Sequence, residues 1–370
     1  MSLLCKTLAL KSPPFLLTIS RFLSSSTAFD PPTSSSYDEQ VAAAGRSRDF
    51  EALHRLLNKR YKDGCFNTKK TFKFITDTIE HDETLIPNLI QTLSRLDSGF
   101  ARKNAFDSLI SHLCKTNRVD DSVRVIAAMV RGEYGVNATT FHPLLNALTR
   151  KRRIDEAWRI IAMMKESGTN VDVTAYNYVL TAHCVEGEAE LAAEVVERIE
   201  AEGLRADART YDAAAMGCCR VGRVEGAVAV VRRMAEEGVP ALYSTHAHVI
   251  KGLVGLGQWR EAVDYVRAVG GRDVLLDREN FGFLGSVLVR KMRVVEAKMV
   301  FDEMGERGLD VGDKLRREYV ALLEASKSTF DNCRQILLAS QFCRNDRVAF
   351  TSNIVMIESK FHCPCGSSVF

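Results

Sequence analysis

One spacing constrains this chain more than any other feature of it. Counting from Phe106 in steps of 35 residues reaches Phe141, Tyr176, Tyr211, His246 and Phe281, a ring-bearing side chain each time. The same step from Ser122 reaches Ala157, Ala192, Ala227, Ala262 and Ala297. Seven residues beyond these stand Met129, Met164, Ile199, Met234, Val269 and Met304. A fourth register holds Gly168, Gly203, Gly238 and Gly308. The registers keep step from residue 103 to residue 312 without an insertion, which defines six units: 103–137, 138–172, 173–207, 208–242, 243–277 and 278–312. A fixed period of this size means one supersecondary element repeated.

Each unit reads as two helices. In the third, Tyr176, Val179 and Leu180 fall at i, i+3 and i+4, and after a break at Glu186-Gly187 the residues Ala192, Val195, Val196 and Ile199 form a second apolar stripe. The recurring Ala is small because the two helices must approach closely there. Gly203 suits a left-handed helix end, and Asp207 suits the N-cap of the helix that follows. One hairpin cannot bury both of its stripes. The expected fold is therefore all-α, a superhelix (solenoid) of stacked 35-residue hairpins.

The flanks differ from the array. Residues 38–102 read as degenerate leading repeats or a cap. In them Asp49-Phe50-Glu51-Ala52-Leu53, with Leu56 and Leu57, suggests a second helix, and Thr71-Phe72-Lys73-Phe74-Ile75 a first helix. Residues 313–325, with Tyr319, Leu322 and Leu323, suggest a terminal capping helix, and 326–370 an atypical, disordered tail. Residues 24–37, with Pro31, Pro32 and a Ser run, suggest a flexible linker. The first acid in the chain is Asp30, while Lys6, Lys11 and Arg21 lie among Leu, Phe and Ser. That is the composition of an organellar transit peptide, 1–23, cut near Leu23/Ser24. A secretory signal is the competing reading, but its apolar run is short and broken by Pro13 and Pro14. The ten cysteines show no paired framework, which favours reduced thiols and an organelle, a mitochondrion with a plastid as the alternative. No run of 18 apolar residues exists to span a membrane. The net charge of +3 does not by itself announce a nucleic-acid partner, so the placement of charge matters.

Two families of helical hairpin repeat compete. Tetratricopeptide repeats run at about 34 residues with Trp, Leu-Gly, Tyr and a late Pro, none of which recurs here. The units instead resemble pentatricopeptide repeats of the pure-repeat, plant organellar type. The residues that carry the resemblance are Leu113-Cys114-Lys115, Ile154-Asp155-Glu156-Ala157, Cys219-Arg220-Val221-Gly222-Arg223, and Phe301-Asp302-Glu303-Met304 with Gly308.

The resemblance implies single-stranded RNA as the partner, read one base per repeat by two or three side chains. The reading positions it implies are the fifth and the last residue of each unit. They pair Asp107 with Asn137, His142 with Asp172, Asn177 with Asp207, Asp212 with Leu242, Ala247 with Asp277, and Gly282 with Gly312. Only Asn177/Asp207 matches a standard combination of the family, and it implies uracil. The second position, usually Val in the family, is Asn104, Thr139, Thr174, Arg209, Ser244 or Glu279. The thirteenth residue, which ends the first helix, is Lys115, Arg150, Arg220 or Arg290 in four units, but Val185 and Gly255 in two. Lys151, Arg152, Arg153, Arg223, Lys291 and Arg293 lie beside them, and together they form a basic stripe suited to phosphates. Any helix C-terminus also favours cations, so the same residues have a structural explanation.

Motifs for catalysis are missing: there is no Gly-rich phosphate loop, Ser/His/Asp motif or HExxH. Some family members end in a zinc deaminase-like or nuclease domain. The deaminase signature needs H-x-E and P-C-x-x-C, and the tail has His362-Cys363-Pro364-Cys365-Gly366 instead. The expectation is a protein that is not an enzyme and carries no cofactor and no metal. It would bind organellar transcripts and act in their stability, processing, splicing or translation. The alternative is a protein-interaction scaffold or a subunit of an organellar ribosome or RNA-processing complex.

Overall fold

The computed structural model describes residues 32–77 and 83–342, with side chains as far as Lys327. The proposed transit peptide and the His362–Gly366 segment lie outside the described residues. By internal contacts the chain divides into two compact units, one ending at Gly217 and the other beginning at Cys218. Among the described residues all regular structure is helical.

The first unit holds α1 (Ser34–Arg46), α2 (Phe50–Lys62), the short α3 (Phe74–Asp77), α4 (Leu85–Ser94), α5 (Gly99–Lys115), α6 (Val119–Arg131), α7 (Ala138–Arg150), α8 (Ile154–Glu166), α9 (Val173–Glu186), α10 (Ala189–Ala201) and most of α11 (Ala208–Arg220). Successive helices pair as antiparallel hairpins, α5 with α6, α7 with α8 and α9 with α10. The first helices of adjacent hairpins also pack on one another, α5 on α7 and α7 on α9. The second unit repeats the scheme with α12 (Val224–Glu236), α13 (Tyr243–Gly255), α14 (Trp259–Val269), α15 (Val274–Arg290), α16 (Val294–Glu306) and α17 (Asp313–Phe342). There α13 pairs with α14 and α15 with α16, and α13 packs on α15.

The periodic residues make this core. Phe106, Phe141, Tyr176, Tyr211, His246 and Phe281 are all buried, as are Ser122 and the five alanines in its register. Of the third register only Val269 is not fully covered. Burying one such ring or a Met, Ile or Val side chain is worth about 1.5–3 kcal/mol, so the first and third registers supply most of this stabilisation and the alanines allow the close approach. The glycines Gly168, Gly203, Gly238 and Gly308 all end second helices at φ between +66° and +71°. Glu133 holds the same place at φ +52°, a conformation that strains an L side chain.

A fifth register emerges only in the structure. The turn inside each hairpin places one left-handed residue, in order Asn117, Arg152, Gly187, Gly222, Gly257 and Met292. Arg48 and Gly64 adopt the two left-handed turns of the α1–α2 hairpin, 69 residues ahead of Asn117 and Glu133 and so one short of two periods. The leading region is thus a hairpin of the same design, slipped by one residue.

Three boundaries differ from the sequence expectation. The linker expected to run to residue 37 gives way earlier, because Thr33 caps α1 by accepting from the Ser36 N–H and Tyr37 and Val41 start its buried stripe. The first helix expected over Thr71–Ile75 is preceded by turns and starts only at Phe74, while Phe50–Lys62 is the second helix foreseen, capped by Asp49. The terminal helix does not stop near 325 but continues to Phe342.

Arg60 locks the leading hairpin. Its guanidinium is 1% exposed, donates to Asp38 at 2.8 Å and to Thr71 at 3.0 Å, and bonds the carbonyls of Ser34 and Phe66. Burial acts to raise the Asp38 carboxyl, but hydrogen bonds from Thr68, Arg60 and Thr71 outweigh it and hold the group below its ordinary value.

Candidate nucleic-acid interface

In the first unit the fifth and last positions of three successive repeats meet through hydrogen bonds. Asn177 Nδ2 donates to Asp207 Oδ1 at 2.9 Å, and the Thr210 hydroxyl donates to Asn177 Oδ1 at 2.8 Å. Asp207 Oδ1 also accepts from the N–H groups of Arg209 and Thr210, which makes it the cap of α11. Asn177 is only 5% exposed, so its amide is held rather than free to rotate. An amide has two N–H donors and an oxygen with two lone pairs, and these bonds use one of each. One donor and one acceptor remain, with their order fixed by the carboxylate.

The neighbouring pairs are built differently. His142 Nε2 lies 2.9 Å from Asp172 Oδ1, and Asp172 caps α9 by accepting from Ala175 N–H. The His142 ring meets Tyr178 edge-on at 5.9 Å. Asp107 does not touch Asn137 directly. Thr140 bridges them, donating to Asp107 Oδ1 at 2.9 Å and lying 3.1 Å from Asn137 Oδ1, and Lys103 pairs with Asp107. Thr140 and Thr210, third residues of their units, went unnoticed in the sequence although the same register also holds Thr245. Asp212, the fifth residue of the fourth unit, is half-buried in α11.

The second unit offers no such pair. Ala247 is buried and Gly282 has no side chain. Asp277, expected as the last residue of its unit, sits inside the first turn of α15 and turns inward. Its Oδ2 accepts the Gly271 N–H at 2.7 Å and lies 3.9 Å from the Arg307 guanidinium. The cause is local. Gly270-Gly271 end α14 after 11 residues, and Gly271 takes the left-handed turn at φ +95°. Asp273 then caps α15, ahead of the register. Leu242 stands at the N-cap of α13, where its side chain accepts nothing.

The cations differ in exposure and in partners. Lys115, Arg150 and Lys151 are exposed at the end of α5 and α7, and among the described residues no ion pair holds them. Arg153 is half-buried and bonded to Glu156 and Asp120, and Arg152 pairs with Glu186. Arg220, Arg223, Arg290 and Lys291 are exposed in the second unit, with Arg290 Nε bonded to the Ser286 carbonyl. Arg293 is drawn toward Glu296 and lies over the Trp259 ring. Where Gly255 replaces a cation, a cleft of about 370 Å³ opens between α13 and α15, lined by Ile250, Val254, Trp259, Val287, Lys251 and Lys291 among others.

The remaining chemistry is quiet. Burial raises the thiols of Cys114 and Cys218, and that of Cys219 to about 11, which keeps them protonated and unreactive. Among the described residues no group of three or more His, Cys, Asp and Glu could hold a metal ion. No described helix is long and apolar enough to cross a membrane.

Known proteins carry the same design. Family profiles for a pentatricopeptide repeat-containing protein match residues 76–188, for a pentatricopeptide repeat domain 159–219, and for the single repeat 209–239 and 281–309. A mitochondrial pentatricopeptide repeat-containing protein of Arabidopsis thaliana is 58% identical over 283 residues, 76% of this chain and 80% of the relative. The chain belongs to the pentatricopeptide repeat family. A second mitochondrial pentatricopeptide repeat protein of the same plant is 45% identical over 107 residues, 29% of this chain and 30% of the relative. The protein is accordingly a mitochondrial member of the family. Among solved structures, the pentatricopeptide repeat protein PPR10 from maize aligns with a TM-score of 0.42 at 16% identity, over 88% of this chain and 56% of that one. PPR10 in complex with an 18-nucleotide psaJ RNA element aligns with a TM-score of 0.43 at 14% identity, over 86% of this chain and 51% of that one.

Proposed function

We propose that this pentatricopeptide repeat protein is a non-catalytic, single-stranded RNA-binding protein of the pure-repeat class. Its role is in the stability, processing, splicing or translation of mitochondrial transcripts. The observation that carries the reading is the Asn177–Asp207–Thr210 arrangement. The donor and acceptor left on Asn177 match the N3–H and a carbonyl of uracil, and the carboxylate of Asp207 prevents the amide from flipping to suit another base. Lys115, Arg150 and Lys151, exposed and without ion pairs among the described residues, supply charge for the phosphates. Arg220, Arg223, Arg290 and Lys291 do so in the second unit, while Arg153 spends its charge on Glu156 and Asp120.

A second reading, a scaffold or subunit of a mitochondrial ribosome or RNA-processing complex, draws on Val274 and Leu275. They are 74% and 58% exposed at the start of α15, beside reading positions that have no polar side chain to offer. A titration of the mature protein with oligouridine across salt concentrations separates the two. RNA binding through phosphates weakens with salt, and replacing Lys115, Arg150, Arg220 and Arg290 by Ala flattens that dependence. Binding that ignores both salt and these substitutions contradicts the RNA reading.

A further inference from the structure

We propose that Tyr61, Phe66 and Phe100 form a platform on which a nucleobase of single-stranded RNA stacks, extending the interface beyond the six periodic repeats. The inference rests on the RNA-binding reading above and adds a contact that no reading position supplies.

Three large rings stand together at the surface of the first unit. Tyr61, Phe66 and Phe100 are 36%, 54% and 59% exposed. The Phe100 centroid lies 6.0 Å from that of Tyr61 and 6.2 Å from that of Phe66. Rings that belong to the core of this fold are buried, so these three are not explained by packing. The cluster is also held in place. Tyr61 lies in the last turn of α2, Gly64 makes the left-handed turn after it, and the Phe66 carbonyl accepts from the buried Arg60 guanidinium.

Charge selects the occupant. Between residues 59 and 73 the exposed charged side chains are Lys59, Lys62, Lys69, Lys70 and Lys73, against Asp63, and Lys62 pairs with Asp97 at 3.3 Å. Arg60 is neutralised by Asp38 and does not add to this field. An apolar protein surface gains nothing from the four remaining lysines, whereas a phosphate-linked strand does. Cationic surface combined with exposed rings is the arrangement by which proteins hold single strands without reading their sequence.

Position points the same way. Phe100, Asn104 and Asp107 follow at i, i+4 and i+7 on α5, and so share one face of that helix. Asn104 and Asp107 are the second and fifth residues of the first repeat, the positions a base would meet. The crevice behind the rings, lined in part by Tyr61, Phe66 and Asn104, has a volume of about 10 Å³. It is too small for a base, which therefore stacks on the outer ring faces.

The test is fluorescence anisotropy of the full mature chain with fluorescein-labelled oligouridine of about 20 nucleotides. Losing one stacked base weakens binding roughly fivefold or more. Phe100→Leu, which keeps apolar bulk but has no aromatic face, shows that loss, and so does the Phe66→Ala/Phe100→Ala pair. Phe100→Trp retains affinity. The slope of log affinity against log salt stays the same in all three, because no cation has been removed. Equal affinity for Phe100→Leu and the unsubstituted protein, with Arg150→Ala still weakening binding, overturns the platform and assigns the surface to a protein partner, while leaving the RNA reading intact. A changed salt slope in Phe100→Leu overturns stacking as the cause. If the unsubstituted protein fails to bind at any salt concentration, the RNA reading itself fails and the platform with it.

Discussion

The two units share one hairpin design but treat their polar groups differently. In the first, Asp107, His142 and Asn177 are each tied to the last residue of their repeat, directly or through a threonine. In the second, Ala247 and Gly282 leave those positions empty, and Asp277 faces inward to secure a turn. Equal periodicity therefore does not bring equal placement of polar groups. The registers that build the core hold rings, small residues and Met, Ile or Val, each at its own position, whereas the candidate reading positions hold no one residue type, as Ala247 and Gly282 show.

The largest expected effect lies at the leading end of the first unit. Asp38→Ala leaves the Arg60 guanidinium buried without its carboxylate, at a cost of about 3–5 kcal/mol measured by urea denaturation. The pH dependence follows from the lowered Asp38 value. A carboxyl depressed in the folded state gives stability that is present above its unfolded value near 4, and loses it as pH falls through the folded value. Unfolding of the intact protein should therefore become easier below about pH 4, and the Asp38→Ala variant should have a smaller share of that acid sensitivity.

Asp277→Ala sharpens the contrast from the other unit. It removes the acceptor for Gly271 N–H and should cost about 1–3 kcal/mol of stability, with no change in base preference. A variant that melts normally yet loses base preference breaks the comparison, because Asp277 would then be a reading residue. Asn177→Ala has the opposite profile: a reduction of about 1–2 kcal/mol in the preference for uridine over adenosine, read by anisotropy with the two homopolymers, and a smaller effect on melting. Glu133→Gly removes the strain of a left-handed L residue and should stabilise the first unit by about 1 kcal/mol, seen as a higher denaturation midpoint with RNA affinity unchanged.

Most of the fold was legible because its determinants are local and periodic. Phe106 and Ala157 announce their registers by type, and burial permits few alternatives there. The hairpin turn was less legible, since Asn117, Arg152 and Met292 accept the left-handed conformation that Gly187, Gly222 and Gly257 favour, and no shared residue type marks the position. The early start of α15 was hidden for a related reason. Gly270-Gly271 shift the helix boundary without altering the spacing of Phe281 or Ala297, so the register looked unbroken. Thr210 was overlooked because its importance lies in a contact with Asn177, 33 residues away. The aromatic cluster of Tyr61, Phe66 and Phe100 likewise comes together only in three dimensions.

If RNA is bound by both units but read mainly by the first, selection from a randomised single-stranded RNA pool by the mature protein must show the difference. The expected outcome is enrichment of sequences with one strongly fixed uridine, weaker preferences at its neighbours on one side only, and loss of that uridine when selection is repeated with Asn177→Ala. Enrichment spread evenly over about six positions, or a fixed uridine that survives Asn177→Ala, contradicts it.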